Sequence, residues 1–129
     1  MEYIYFFPNS SLSIRVVAYL RSAIHLPVAF VTVIHLIDGW IVRIKMNRCL
    51  DPQPEGDFLA VMNELGFPDK PGIRLLMALW SLQTGQSPID VMRRYQVAIV
   101  SHGNADVQEI EQFREQFVNG LGYCPETLA

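Results

Sequence analysis

Residues 28–46 read VAFVTVIHLIDGWIVRIKM, and the fold turns on them. β-Branched and aromatic side chains crowd both halves, which suits pleated backbone. Asp38-Gly39 stands between them. Such a pair is a strong signal for a two-residue hairpin, because that turn wants positive φ at both central positions. The segment predicts strands over 28–37 and 40–46, with Ile37 opposite Trp40, His35 opposite Val42, Val33 opposite Ile44 and Val31 opposite Met46. Alternate side chains then point to opposite faces. One face is almost wholly apolar. The other carries Phe30, Thr32, Ile34 and Leu36 against Ile41, Arg43 and Lys45, greasy near the turn and basic at the far end.

Upstream, Tyr3-Ile4-Tyr5-Phe6-Phe7 reads as a strand ended by Pro8. Asn9, Ser10 or Ser11 can cap the helix that follows, whose apolar face carries Leu12, Val16, Tyr19, Leu20, Ala23 and Ile24. Pro27 stops it. Downstream, residues 51–56 (DPQPEG) read as a loop on turn chemistry, and everything beyond reads as helix. Asp57 would cap a short helix through Phe58, Leu59, Met62 and Leu65. Pro71 would open a second, with Ile73, Leu76, Met77 and Trp80 on one face and Gly85 as its stop. Ser87-Pro88 opens a third, and Asn104 a last one lined by Val107, Ile110, Phe113, Phe117 and Leu121.

Val97-Ala98-Ile99-Val100 has strand composition, but no breaker separates it from Tyr95. The series Ile89, Met92, Tyr95, Ile99, His102 fits one helix from Pro88 to His102, which is the preferred assignment. The expected fold is α+β: a small strand–helix–hairpin sheet followed by about four helices packed on its apolar face. A ferredoxin-like sheet with extra helices replaces it if residues 97–101 form a strand.

The chain has 129 residues, a net charge of −3, 50% hydrophobic and 18% charged residues. That composition suits one domain, excludes disorder and carries no strongly basic footprint. Residues 1–50 hold five bases against two acids and the remainder five against eleven, so two subregions meet near residue 50. Ser22 to Ile37 is the longest run without Asp, Glu, Lys or Arg; its 16 residues, broken by Pro27, are too few for a membrane span. Glu2 stands where a signal peptide would be basic, and two cysteines 75 positions apart fit free thiols, so the expected location is cytoplasmic.

Candidate chemistry is thin. His25 has no His, Cys, Asp or Glu three or four positions on, and His35 and His102 have one carboxylate each there, Asp38 and Asp106, which falls short of a set; no metal or catalytic set is expected, and no cofactor. His35 reads as a buried neutral imidazole with one satisfied N–H; His25 and His102 read as helix C-terminal residues. Cys49 and Cys124 have no catalytic signature around them. Pro8-Asn9-Ser10-Ser11 lacks the glycines and lysine of a phosphate loop. Tyr3 and Tyr5 near Arg43, Lys45 and Arg48 give a composition-only match to an RNA-binding sheet. Glu109, Glu111 and Glu115 read as a solvated helix face.

Three functions follow in order of preference. The first is a non-enzymatic interaction or assembly module, bound to a protein partner or to itself as a homo-oligomer through Phe30, Ile34, Leu36, Ile41, Arg43 and Lys45, because a half-apolar sheet face is commonly covered by a partner. The second is a nucleic-acid regulator in which the helices around Gly85-Gln86-Ser87 form a helix-turn-helix with Arg93 and Arg94 on the second helix; acidic Asp90 in its first turn argues against it. The third is a small enzyme using Cys49 or a histidine.

Overall fold

The computed structural model describes residues 1–104 and 106–129. In chain order it comprises β1 (Glu2–Phe7), α1 (Ser10–Ser22), β2 (Val28–Leu36), β3 (Gly39–Met46), α2 (Pro52–Leu65), β4 (Phe67–Pro68), α3 (Ile73–Gln83), α4 (Pro88–Tyr95), β5 (Ala98–Gly103), α5 (Val107–Leu121) and a 3₁₀ turn at Glu126–Leu128. The fold is α+β. One antiparallel sheet runs in the order β4-β1-β3-β2-β5. The first four positions are those of a ferredoxin-like split βαβ unit, with β4 reduced to two residues. β5 extends the sheet beyond β2, so strands from both halves of the chain share it.

The hairpin is present, but its loop is Ile37–Asp38. Leu36 lies opposite Gly39, His35 opposite Trp40, Val33 opposite Val42 and Val31 opposite Ile44. The shift from the expected register is two positions, so the two faces keep their residues. Neither Asp38 nor Gly39 has positive φ. Gly39 is a glycine for another reason: a Cβ there would stand 2.3 Å from the Phe6 ring and 2.7 Å from the Phe7 carbonyl oxygen. It belongs to the strand, beneath β1, and not to the turn.

Two further expectations are corrected. Residues 52–56 are helical, because Pro52 occupies the first turn of α2, where a missing N–H costs nothing. The single helix from Pro88 to His102 is also absent. Gln96 turns left-handed (φ 54°, ψ 51°), ends α4 at Tyr95 and releases β5, which pairs with β2. The strand alternative for 97–101 is therefore the correct one.

The helices form two layers. α1, α2 and α5 cover the sheet face carrying Tyr5, Phe7, Val33, Trp40, Val42 and Ile44. α3 covers the opposite face, with Leu75 and Leu79 on Ile34 and Ile41. α4 lies alongside α3, where Val91 meets Ala78 and Leu82. The C-terminal turn closes on the N-terminal half: Ser10 Oγ donates to the Leu128 carbonyl at 2.8 Å and Trp40 Nε1 to the Thr127 carbonyl at 2.7 Å. Among the described residues no helix is long and apolar enough to cross a membrane.

Candidate functional site

The sheet face expected to meet a partner is occupied by this chain's own α3. Ile34, Ile41 and Arg43 are buried; Phe30, Leu36 and Lys45 are half-buried. The expectation that all the helices would stack on the Val31 face fails because α3 packs Leu75 and Leu79 on Ile34 and Ile41, on the other side. Arg43 shows how its charge is accommodated there. Its Nε and Nη2 donate to Glu2 Oε2 at 3.0 and 2.7 Å, its Nη1 donates to the Leu79 carbonyl at 3.0 Å, and Nη2 also meets Gln83 Oε1. A buried guanidinium needs such partners on every side, and the C-terminal half of a helix favours a cation. Phe30 stacks 5.3 Å from the guanidinium carbon.

His102 lies in β5, not at a helix end. Its Nδ1 is 2.7 Å from Thr32 Oγ1. Desolvation, then the nearby Arg43 charge, hold its pKa below the ordinary value. His35 is caged by Trp40, Phe113 and Phe117, with ring centroids 4.9, 5.2 and 5.4 Å away. Its Nε2 is buried without a hydrogen-bond partner, and desolvation lowers its pKa. Tyr3 and Tyr5 do not join Arg43. They face α2, where Tyr3 donates to Glu55 Oε2 at 2.8 Å and Tyr5 to Asn63 Oδ1 at 3.0 Å. Burial, then the Glu55 bond, push the Tyr3 pKa up to about 12. Both cysteines are exposed and free.

A cavity of about 350 Å³ opens between α1 and the start of β2, lined among others by Val17, Leu20, Phe30 and Gly103. Its polar lining comes from Arg21 and Asn104, and none of the histidines or cysteines reaches it. Among the described residues, no three His, Cys, Asp or Glu side chains gather as metal ligands.

The feature the sequence reading placed wrongly is the most informative. Ile73, Leu76, Met77 and Trp80 share one face of α3, as their spacing predicts, but that face points outward. They are 77%, 42%, 42% and 59% exposed. The sheet-facing residues are Leu75 and Leu79 instead, and Leu82 packs against Val91 of α4. The signal that could have exposed this was that 73–82 carries two apolar rows, Ile73, Leu76, Met77 and Trp80 and also Leu75, Leu79 and Leu82, so that spacing alone names no single buried face. Phe67 on β4 is 64% exposed and pairs with Phe6, so its side chain points to the same sheet face as α3. Arg93 and Arg94 are exposed on α4, which at eight residues is much shorter than the expected second helix. Arg94 stacks 5.5 Å over the Tyr95 ring, and the Tyr95 hydroxyl meets Ser81 Oγ at 3.1 Å.

No family model matches the chain, and no curated protein does. A solved structure, the crystal structure of the C-terminal domain of YpbH, is similar with a TM-score of 0.51, at 19% identity, over 87% of this chain and 97% of that one. At that identity the likeness is one of fold.

Proposed function

We propose that this chain is a cytoplasmic, non-enzymatic protein-docking module whose contact surface is the outer ridge of α3. The observation that carries the proposal is the outward row Ile73, Leu76, Met77 and Trp80, at spacings i, i+3, i+4 and i+7. That is the anchor pattern of helix-mediated recognition. Tryptophan and methionine are also enriched at interfaces. Each such side chain gains about 1.5–3 kcal/mol when fully buried, before the costs of association, and gains none of it facing water. The docking role expected of the sheet face passes to this helix, because α3 covers Ile34 and Ile41 there.

The test compares the wild type with a Leu76→Asp/Trp80→Ala double variant, both immobilised in the native extract. Surface substitutions away from packing change stability by about 0.5 kcal/mol or less, so the two should melt together. Proteins held by the wild type and lost from the variant support the proposal. Identical bound sets for the two overturn it. Light scattering on the pure chain reads self-association: a dimer that becomes a monomer in the double variant makes the docked partner a second copy.

A further inference from the structure

We infer that the cavity between α1 and the start of β2 is a binding site for a small monocarboxylate with a hydrocarbon body, separate from the α3 ridge. Three local features leave it open. β5 pairs with β2 from Val31 upward, with Val31 opposite Gly103, so residues 28–30 begin β2 with no strand on that side. The register of β2 against β3 slips between Val28 and Phe30, which puts Ala29 in a bulge. Gly103 ends β5 with φ 103°, and a Cβ there would meet nothing within 4 Å. The volume of about 350 Å³ lies at the lower end of the range for small-molecule sites, about 300–1,000 Å³. At about 30 Å³ per water-sized group, it holds roughly a dozen non-hydrogen atoms.

The lining sorts into an apolar floor and a polar end. Val17 and Leu20 of α1 and Val31 of β2 form the floor, and all three are buried. Phe30 borders the cavity by its backbone, since alternation turns its ring to the other face of the sheet, 5.3 Å from the Arg43 guanidinium carbon. Main-chain groups of residues 28–30 that face away from β3 have no strand to bond and are left for water or a ligand. At the polar end Asn104 brings an amide and Arg21 a guanidinium. Arg21 already interacts within the chain, but five N–H donors in a fixed fork leave others for a second partner. Among the described residues Arg21 is the one charged side chain in the lining, so the site favours one negative charge over two. Asp106, two residues past Asn104, turns its Oδ1 to the Gln108 N–H at 2.9 Å, where it caps α5. A carboxylate matches the planar fork of a guanidinium, and the hydrocarbon behind it displaces water from the floor.

The probe is octanoate, followed by the amide NMR shifts of the isotope-labelled full chain, with 1-octanol, octylamine and octyl phosphate as comparisons. Octanoate should give shifts at Val17, Leu20, Val31 and Gly103 that saturate at about millimolar concentration. It should bind at least about tenfold more tightly than octylamine. Arg21→Gln should weaken octanoate about tenfold and leave octanol unchanged, and Arg21→Lys should restore part of the loss. Ala29→Trp, at an exposed position in the mouth, should abolish binding of both acid and alcohol without lowering Tm. Shifts gathered around Trp80 instead, or none that saturate, overturn the site. Octanoate binding unmoved by Arg21→Gln overturns the carboxylate, and octyl phosphate binding more tightly than octanoate overturns the single charge. The docking reading is tested separately, since none of Ile73, Leu76, Met77 and Trp80 lines this cavity.

Discussion

Arg43 was expected to mark an open, basic patch, and it is instead the residue that ties α3 to the sheet. Its pair with Glu2 is unequal, since the arginine side chain is 3% exposed and the glutamate 35%. Removing the two partners should therefore have different effects. Glu2→Ala leaves a buried guanidinium with only Leu79 and Gln83 and should cost about 1–3 kcal/mol. Arg43→Met removes the buried charge, fills similar volume and leaves Glu2 near water, so urea unfolding should place it closer to wild type than Glu2→Ala. The opposite order would show that the guanidinium bonds outweigh desolvation. Alternation along β3 correctly put Arg43 on the Ile34 face; what it could not say was which face a later helix would choose. His35 and His102 make a second prediction. Both have pKa values held below the ordinary 6.5. In the unfolded chain each takes up a proton near 6.5, and in the fold only at lower pH. Stability is then full above about pH 6.5 and is lost as pH falls towards the depressed folded values. His35→Gln should flatten the fall of Tm between about pH 7 and pH 5; an unchanged slope would mean that His35 titrates as it does when unfolded.

At the scale of elements, the legible parts were those with caps or long periodic faces. Asn9 Oδ1 accepts from Leu12 N at 3.0 Å and starts α1 where the sequence suggests, and Ser87 accepts from the Asp90 N–H and starts α4. The β4 stub was not legible, because two residues carry no period. The end of α4 was missed because Gln96 carries no left-handed signal of its own; the pairing of β5 with β2, some 70 residues away, decides it. α3 was found but turned the wrong way, since apolar side chains on both sides leave periodicity without a preferred face. Gln96 offers the direct test. A non-glycine residue in the left-handed region costs about 1–2 kcal/mol, part of which glycine recovers. Gln96→Gly should raise the denaturant midpoint, and Gln96→Val should lower it; a Gly variant less stable than wild type would mean that the glutamine side chain itself holds the junction.

Over the whole molecule, charge and apolar surface are divided between the two helix layers. α2 carries Glu55, Asp57 and Glu64, and α5 carries Glu109, Glu111 and Glu115 against Arg114, whereas the α3/α4 side is basic and greasy. The sequence showed the charge asymmetry but drew its boundary near residue 50, because it could not see that residues 98–103 return to the sheet begun by residues 2–46. The same return governs how the protein comes into being. β1, β2 and β3 are all in hand once residue 46 is synthesised, but the outer edge of β2 waits for β5. Ser10 and Trp40 wait longer still, for Thr127 and Leu128. A nascent chain therefore leaves the ribosome with a bare strand edge and an unsealed aromatic core, and this stage of synthesis is the one at which a chaperone would matter most.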